Sequence, residues 1–268
     1  MPFIQANGVR TYYEEAGEGP ALLLIAGNGM EHTAFADQVE TFGRHFRCIA
    51  YDMRGVGRSD VTDSGYTVPE MADDALALLT GLGVASAHVA GYSLGGAIAQ
   101  EMALKAPQRV RTLSLYSSYS HVEPYLRRRY ELLIKILLET TPELWAMFSV
   151  FTAFGEAYIN AHDGELEREV ALRASRRRGA QPPSQEGLLG HYRAVLSHEA
   201  RDRLALLRCP AWIAVGSSDP VTPPAYSRLM HERIAGSELR VFPGAPHRLL
   251  NFTADFTAEA LAFLLAHR

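Results

Sequence analysis

The chain has 268 residues, 47% of them hydrophobic and 21% charged, so it is long enough to bury a sizeable core and unlike a disordered polymer. Lys and Arg number 26 against 30 Asp and Glu, and the formal charge of −4 argues against a nucleic-acid partner, which would favour a basic surface. Two cysteines, Cys48 and Cys209, are too few for a disulfide scaffold and read as ordinary buried thiols.

The start, Met-Pro-Phe-Ile-Gln, lacks the basic and apolar regions of a secretory signal. The longest strongly apolar run, Ala21 to Ala26, is far below the ~20 residues of a membrane span. A cytoplasmic protein with no membrane partner is expected.

In chain order, Phe3 to Gln5 and Thr11 to Glu15 flank Asn7-Gly8 and read as a hairpin. Ala21 to Ile25 and Cys48 to Tyr51 are compact apolar runs, as expected of strands covered on both faces. Thr33 to Phe42 reads as a crossover helix between them. Pro69 to Leu82 is a second helix, with Met71, Ala75, Leu78, Leu79 and Leu82 at helical spacing, Asp73 and Asp74 in its first turn, and Gly81 and Gly83 at its end. His88 to Ala90 is a strand, Leu94 to Lys105 a helix and Val110 to Tyr116 a strand. This alternation predicts a parallel sheet with helices on both faces.

From about Ser120 to Ala200 the pattern turns helical and polar, with Leu126, Tyr130, Leu133, Ile134 and Leu137 on one face and a break at Pro182-Pro183. This stretch reads as an inserted helical subdomain. Alternation resumes with a strand Ala211 to Val215, a helix around Ala225 to Ile234, a strand Glu238 to Phe242 and a closing helix from Thr253 to His267.

The chemistry centres on Gly91-Tyr92-Ser93-Leu94-Gly95-Gly96, directly after one strand and opening a helix. A serine at such a tight turn is forced towards strained φ/ψ, and flanking glycines let two backbones approach. The bare G-x-S-x-G pattern arises by chance in roughly one in ten chains of this size, so it needs partners. Serine is a poor nucleophile without a base, usually a histidine held by a carboxylate. Asp219, in Gly216-Ser217-Ser218-Asp219-Pro220, and His247, in Gly244-Ala245-Pro246-His247, both follow the carboxyl ends of predicted strands, the edge where reactive groups gather in open α/β sheets. Asp before Pro is also common turn chemistry. The rival position after Val110 to Tyr116 holds Ser117, Ser118 and Tyr119, with no carboxylate.

Over essentially its whole length the chain resembles the α/β-hydrolase family, through the order Ser93, Asp219, His247 and the elbow Gly91 to Gly96. Tyr51-Asp52-Met53-Arg54-Gly55-Val56-Gly57-Arg58-Ser59 is similar to that family's loop after the fourth strand. Shorter echoes are similar to enol-lactone hydrolases and aminoacrylate hydrolases. The resemblance implies a mostly parallel central sheet with helices on both faces and an inserted helical lid: residues 1–119 and 201–268 form the core and 120–200 the lid. It also implies an oxyanion hole built from the backbone N–H groups of Leu94 and Asn28. The family usually has His-Gly where this chain has Ala26-Gly27, so a loop-bracing histidine is missing. The Asn28 side chain is either an additional donor or a turn former.

In the insertion, Trp145, Phe148, Phe151, Phe154 and Tyr158 form a near-helical aromatic stripe. Trp145, Phe148 and Phe151 are candidates for an apolar wall over substrate, although packing on the core explains such a stripe equally. Asp52, Arg54 and Arg58 read as loop braces. The runs Arg127 to Arg129 and Arg176 to Arg178 read as a solvated face, because the insertion holds 10 Lys/Arg against 11 Asp/Glu. His121, His162, His191 and His198 show no metal-ligand spacing, and the glycine pairs lack a dinucleotide fingerprint, so no metal or cofactor is expected.

The expected activity is that of a serine esterase or lactonase working through an acyl-enzyme on Ser93, with a small-molecule ester, lactone or thioester as substrate. Thioesterase, carbon–carbon bond hydrolase and amide or carbamate hydrolase are the alternatives within enzymes; a small-molecule receptor on the same scaffold is the alternative outside them. A homodimer is one open assembly.

Overall fold

A computed structural model describes residues 2–178, 184–252 and 254–268, so the expected break at Pro182-Pro183 and the expected helix start at Thr253 lie outside the described residues. Strands β1 (Phe3–Ala6) and β2 (Val9–Ala16) form an antiparallel hairpin in which Asn7 and Gly8 take φ of 51° and 79°, as a two-residue turn of this hand requires. β3 (Ala21–Ile25), β4 (Arg47–Tyr51), β5 (Ala87–Tyr92), β6 (Val110–Tyr116), β7 (Ala211–Gly216) and β8 (Glu238–Phe242) follow. The sheet has eight strands in the order β1-β2-β4-β3-β5-β6-β7-β8. β2 meets β4 antiparallel, and every pairing from β4 to β8 is parallel.

Alternate side chains of the parallel strands feed two cores, because strand side chains change face at every residue. Leu22, Leu24, Trp212 and Phe242 pack on α1 (Ala36–Phe42) and α9 (Ala254–Ala266). Leu23, Ile25, Val89 and Ile213 pack on α2 (Val68–Gly81), α3 (Leu94–Lys105) and α8 (Pro224–Arg233). Helices therefore cover both faces, and among the described residues no helix is long and apolar enough to cross a membrane.

Two local expectations need correction. The helix expected over Thr33 to Phe42 is a 3-10 turn, His32–Phe35, followed by α1, and the backbone N–H and Nδ1 of His32 are both tied to the Asp52 carboxylate at 2.8 and 2.7 Å. Helix α2 starts earlier than expected because Thr67 caps it, its hydroxyl accepting the Glu70 N–H. Asp73 and Asp74 thus fall beyond the first turn. Asp73 pairs with Lys105, and buried Asp74 takes the fork of Arg54 at 2.6 and 2.7 Å. Arg54 and Asp52, whose Oδ2 also accepts the Arg58 N–H, brace the loop after β4.

Residues 120–200 leave and rejoin the sheet at one point, where Ala200 N–H donates to Ser120 O at 2.7 Å. The excursion builds α4 (Pro124–Glu139), α5 (Pro142–Phe151), α6 (Glu156–Arg178) and α7 (Gln185–Ser197), with non-helical backbone at His162 inside α6. Leu126, Tyr130, Leu133 and Leu137 are buried, and their core is continuous with that under α2 and α3. Helix α7 sits directly on the loop after β4: a Cβ at Gly187 would lie 2.0 Å from the Gly55 carbonyl oxygen. A Gly187→Ala substitution is therefore expected to cost about 1–3 kcal/mol by overpacking backbone against backbone, read as a lower urea midpoint at unchanged m-value.

Candidate active site

Ser93 stands between β5 and α3 with φ 54° and ψ −115°, a conformation that costs a non-glycine residue about 1–3 kcal/mol and survives only where its surroundings enforce it. They do so by close approach. A Cβ at Gly91 would lie 2.2 Å from the Gly95 carbonyl oxygen, and one at Gly95 would lie 2.1 Å from that of Ile25. The neighbouring strand holds the turn from the other side: Ser93 N–H donates to Tyr116 O at 2.9 Å, and Ser118 Oγ donates to Ser93 O at 2.9 Å.

Asp219 lies beyond β7 and His247 beyond β8, and the turn geometry brings both to Ser93. His247 Nε2 is 3.2 Å from Ser93 Oγ, and its Nδ1 lies 2.8 and 3.0 Å from the two Asp219 oxygens. All three side chains are buried. Asp219 Oδ1 accepts the backbone N–H groups of Val221 and Thr222 at 2.8 and 2.9 Å, which leaves Oδ2 facing the imidazole. The carboxylate is thereby fixed in orientation and compensated for its burial. An imidazole whose Nδ1–H is held this way presents Nε2 as an acceptor to the serine hydroxyl.

Leu94 opens α3, so its N–H has no acceptor within the helix, as at any helix start. Asn28 lines the same cavity as Ser93 and His247. Its side-chain Nδ2 donates to Tyr130 Oη at 2.6 Å, so the amide is committed to the inserted helices. The loop-bracing histidine that Ala26 does not supply comes instead from α7. His191 Nδ1 accepts the Gly29 N–H at 3.1 Å, and its Nε2 donates to Arg54 O at 2.8 Å. The first bond needs the neutral ring, because a protonated Nδ1 cannot accept; burial lowers the pKa to about 4. The sequence offers no spacing rule that would have found His191.

The cavity is about 250 Å³. Of the three aromatic candidates, only Trp145 lines it. Phe148 packs partly buried against the core, and Phe151 is 68% exposed, because six helical positions turn it about 120° around α5 from Trp145. The basic runs also need correction. Arg127, Arg128 and Arg178 are exposed and away from the cavity, but Arg129, Arg177 and the half-exposed Arg176 line it together with Arg173, Arg248, Glu31 and Glu169. Glu169, Leu172, Arg173, Arg176 and Arg177 form one continuous stripe of α6, the spacing at which an inward face is ordinarily apolar.

Comparison with known proteins agrees with this architecture. Residues 20–251 match the family model described as alpha/beta hydrolase fold. A curated relative from Azorhizobium caulinodans, named "Putative carbamate hydrolase RutD", is 31% identical over 97% of this chain and 97% of its own. A hydrolase from Pseudomonas aeruginosa superposes with a TM-score of 0.86 at 30% identity, covering 98% of this chain and 97% of that one. An enol-lactonase from Burkholderia xenovorans gives 0.87 at 24% identity, over 98% and 100%, a likeness of fold. With the family model matched across most of the sheet and both edges of the insertion, this chain belongs to the alpha/beta hydrolase fold family.

Proposed function

We propose that this alpha/beta hydrolase is a serine hydrolase that cleaves a small ester or lactone through an acyl-enzyme on Ser93. The observation that carries the reading is the chain of contacts Ser93 Oγ to His247 Nε2 to Asp219, at 3.2 and 2.8 Å. Ser93 Oγ attacks the substrate carbonyl while His247 Nε2 takes its proton. Asp219 holds the Nδ1–H tautomer and stabilises the imidazolium that forms. The Leu94 and Asn28 N–H groups receive the oxyanion, each such donor being worth about 2.7–4 kcal/mol. His247 then protonates the leaving group, and water, deprotonated by the same nitrogen, releases the acid. Side chains and backbone N–H groups supply every step, with no metal or cofactor invoked.

Helices α4 to α7 serve as the lid in this reading, Trp145 forming part of the wall over the acyl group. The two unpaired cysteines suit the cytoplasm. A carbamate substrate is the second reading. The same acyl transfer would cleave its carbonyl, and the relative named as a carbamate hydrolase favours it.

His191 is a positioning residue: it fixes the Gly27-Asn28-Gly29 loop that is to present one oxyanion donor. Ser93→Ala is expected to lower kcat on p-nitrophenyl esters by about 10⁴-fold or more and to abolish labelling by a fluorophosphonate probe. Full turnover by that variant would overturn the acyl-enzyme. Asp219→Asn keeps an acceptor for Val221 and Thr222 but turns an NH₂ towards His247, forcing the wrong tautomer; kcat should fall by about 10³–10⁴ with little change in Tm. For His191 the sign follows from its lowered pKa. The unfolded chain takes up the proton near pH 6.5 and the folded one only near 4, so stability is full above 6.5 and is lost as pH falls towards 4. Thermal melts across that range should show a smaller acid loss in His191→Asn than in the parent, and that variant should lower kcat more than it raises KM.

A further inference from the structure

The cavity beside Ser93 carries more positive charge than its own carboxylates balance. Five arginines line it against two glutamates. Glu169 is shared by Arg173 at 2.8 Å and Arg248 at 3.2 Å. Burial raises its carboxyl, but these two neighbours outweigh that and keep it below its ordinary range. Glu31 stands 3.9 Å from Arg176. Among the described residues, Arg129 and Arg177 have no carboxylate partner at all. Arg129 donates to Thr152 Oγ1 at 2.9 Å, and Arg177 donates to the Leu137 carbonyl and to Gln185 Oε1. These acceptors are neutral. Among the described residues, Arg129 Nε and Arg177 Nη1 are shielded from solvent and meet no acceptor.

A half-buried guanidinium group held only by neutral oxygens at a cavity wall lacks the countercharge that would offset its partial desolvation. Burial already depresses the Arg177 pKa. Its guanidinium lies 5.6 Å from the Trp145 ring centroid, and Arg173 Nη1 donates to Ser149 Oγ at 3.2 Å, so the group is held in place at the wall of the cavity. A role as staples between inserted helices accounts for the bonds to Thr152 and Leu137. It leaves the excess charge at the cavity wall unexplained.

We propose that Arg129 and Arg177, with Arg173 beside them, form a carboxylate-binding subsite, so that the substrate carries a free carboxylate in addition to the carbonyl that Ser93 attacks. The inference rests on the acyl-enzyme reading for the second half of that statement and on the arginines alone for the first. A carboxylate matches the planar donor fork and supplies the missing countercharge, and the small cavity limits the molecule to a short acid.

The test compares mono-p-nitrophenyl glutarate with its methyl-capped diester. The parent protein should prefer the free acid by about tenfold or more in kcat/KM, through KM, with the preference shrinking as salt is added. Arg129→Met and Arg177→Met should each lower kcat/KM for the free acid about tenfold more than for the capped ester. Both variants should still unfold in one cooperative melt, so that the loss read is one of recognition and not of the fold. Equal use of the two esters by the parent overturns the proposal. Calorimetric titration of glutarate into Ser93→Ala reads the subsite without chemistry. Saturable binding that weakens about tenfold in the Arg177→Met double variant supports it; no binding to the folded protein overturns it. If neither ester reacts and the fluorophosphonate does not label Ser93, the acyl-enzyme reading falls, while glutarate binding still decides the subsite.

Discussion

The approach of α3 to the carboxyl ends of β3 and β5 is the constraint on which the site depends. Two places without a Cβ, Gly91 and Gly95, bring backbone against backbone at distances no side chain permits. Ser93 is left at the tip with positive φ, its hydroxyl at the sheet edge where β7 and β8 deliver Asp219 and His247. The strain at one residue is offset by its hydrogen bond to the end of β6 and by one from Ser118 just beyond, a segment anchored to β7 and to Thr222. Strand order, rather than any long-range pairing of the side chains themselves, is what makes the three groups neighbours.

The insertion is joined to this edge more intimately than its polar sequence implies. Gly187 lies against Gly55, Leu188 against Gly29, and His191 spans the gap between the Gly29 N–H and the Arg54 carbonyl. The loop after β3 is therefore shaped from above, by a helix, where a preceding histidine would shape it from within. Tyr130 adds a second tie through the Asn28 amide. In the proposed mechanism the position of α7 and the geometry of the oxyanion loop are one variable, because neither can shift without breaking bonds to the other.

Charge in the insertion shows why composition is a poor guide to a site. Ten cationic and eleven anionic residues sum to almost nothing, yet folding sorts them. Most of the carboxylates face water, while Arg129, Arg173, Arg176 and Arg177 turn to the cavity and are joined there by Arg248 from the core. A field depends on where charges sit and on the dielectric around them, so a balanced segment can still hold a strongly cationic pocket.

Much of this was legible in the residues alone. Strand and helix alternation, the glycines of the elbow and the turn chemistry around Asp219 and His247 are local or periodic signals, and each depends on neighbours within a few positions, so the fold family and the candidate nucleophile, base and carboxylate could be named before any coordinates. The inward faces of α5 and α6, the exposure of Phe151, the His191 brace and the unbalanced arginines could not. Helix α6 carries charge nearly all round, so its periodicity does not mark which side turns inward, and His191 meets Gly29 across 162 positions of chain. Local geometry is encoded by adjacent residues, whereas the choice of which polar face a helix buries is made only when it packs against the rest of the molecule.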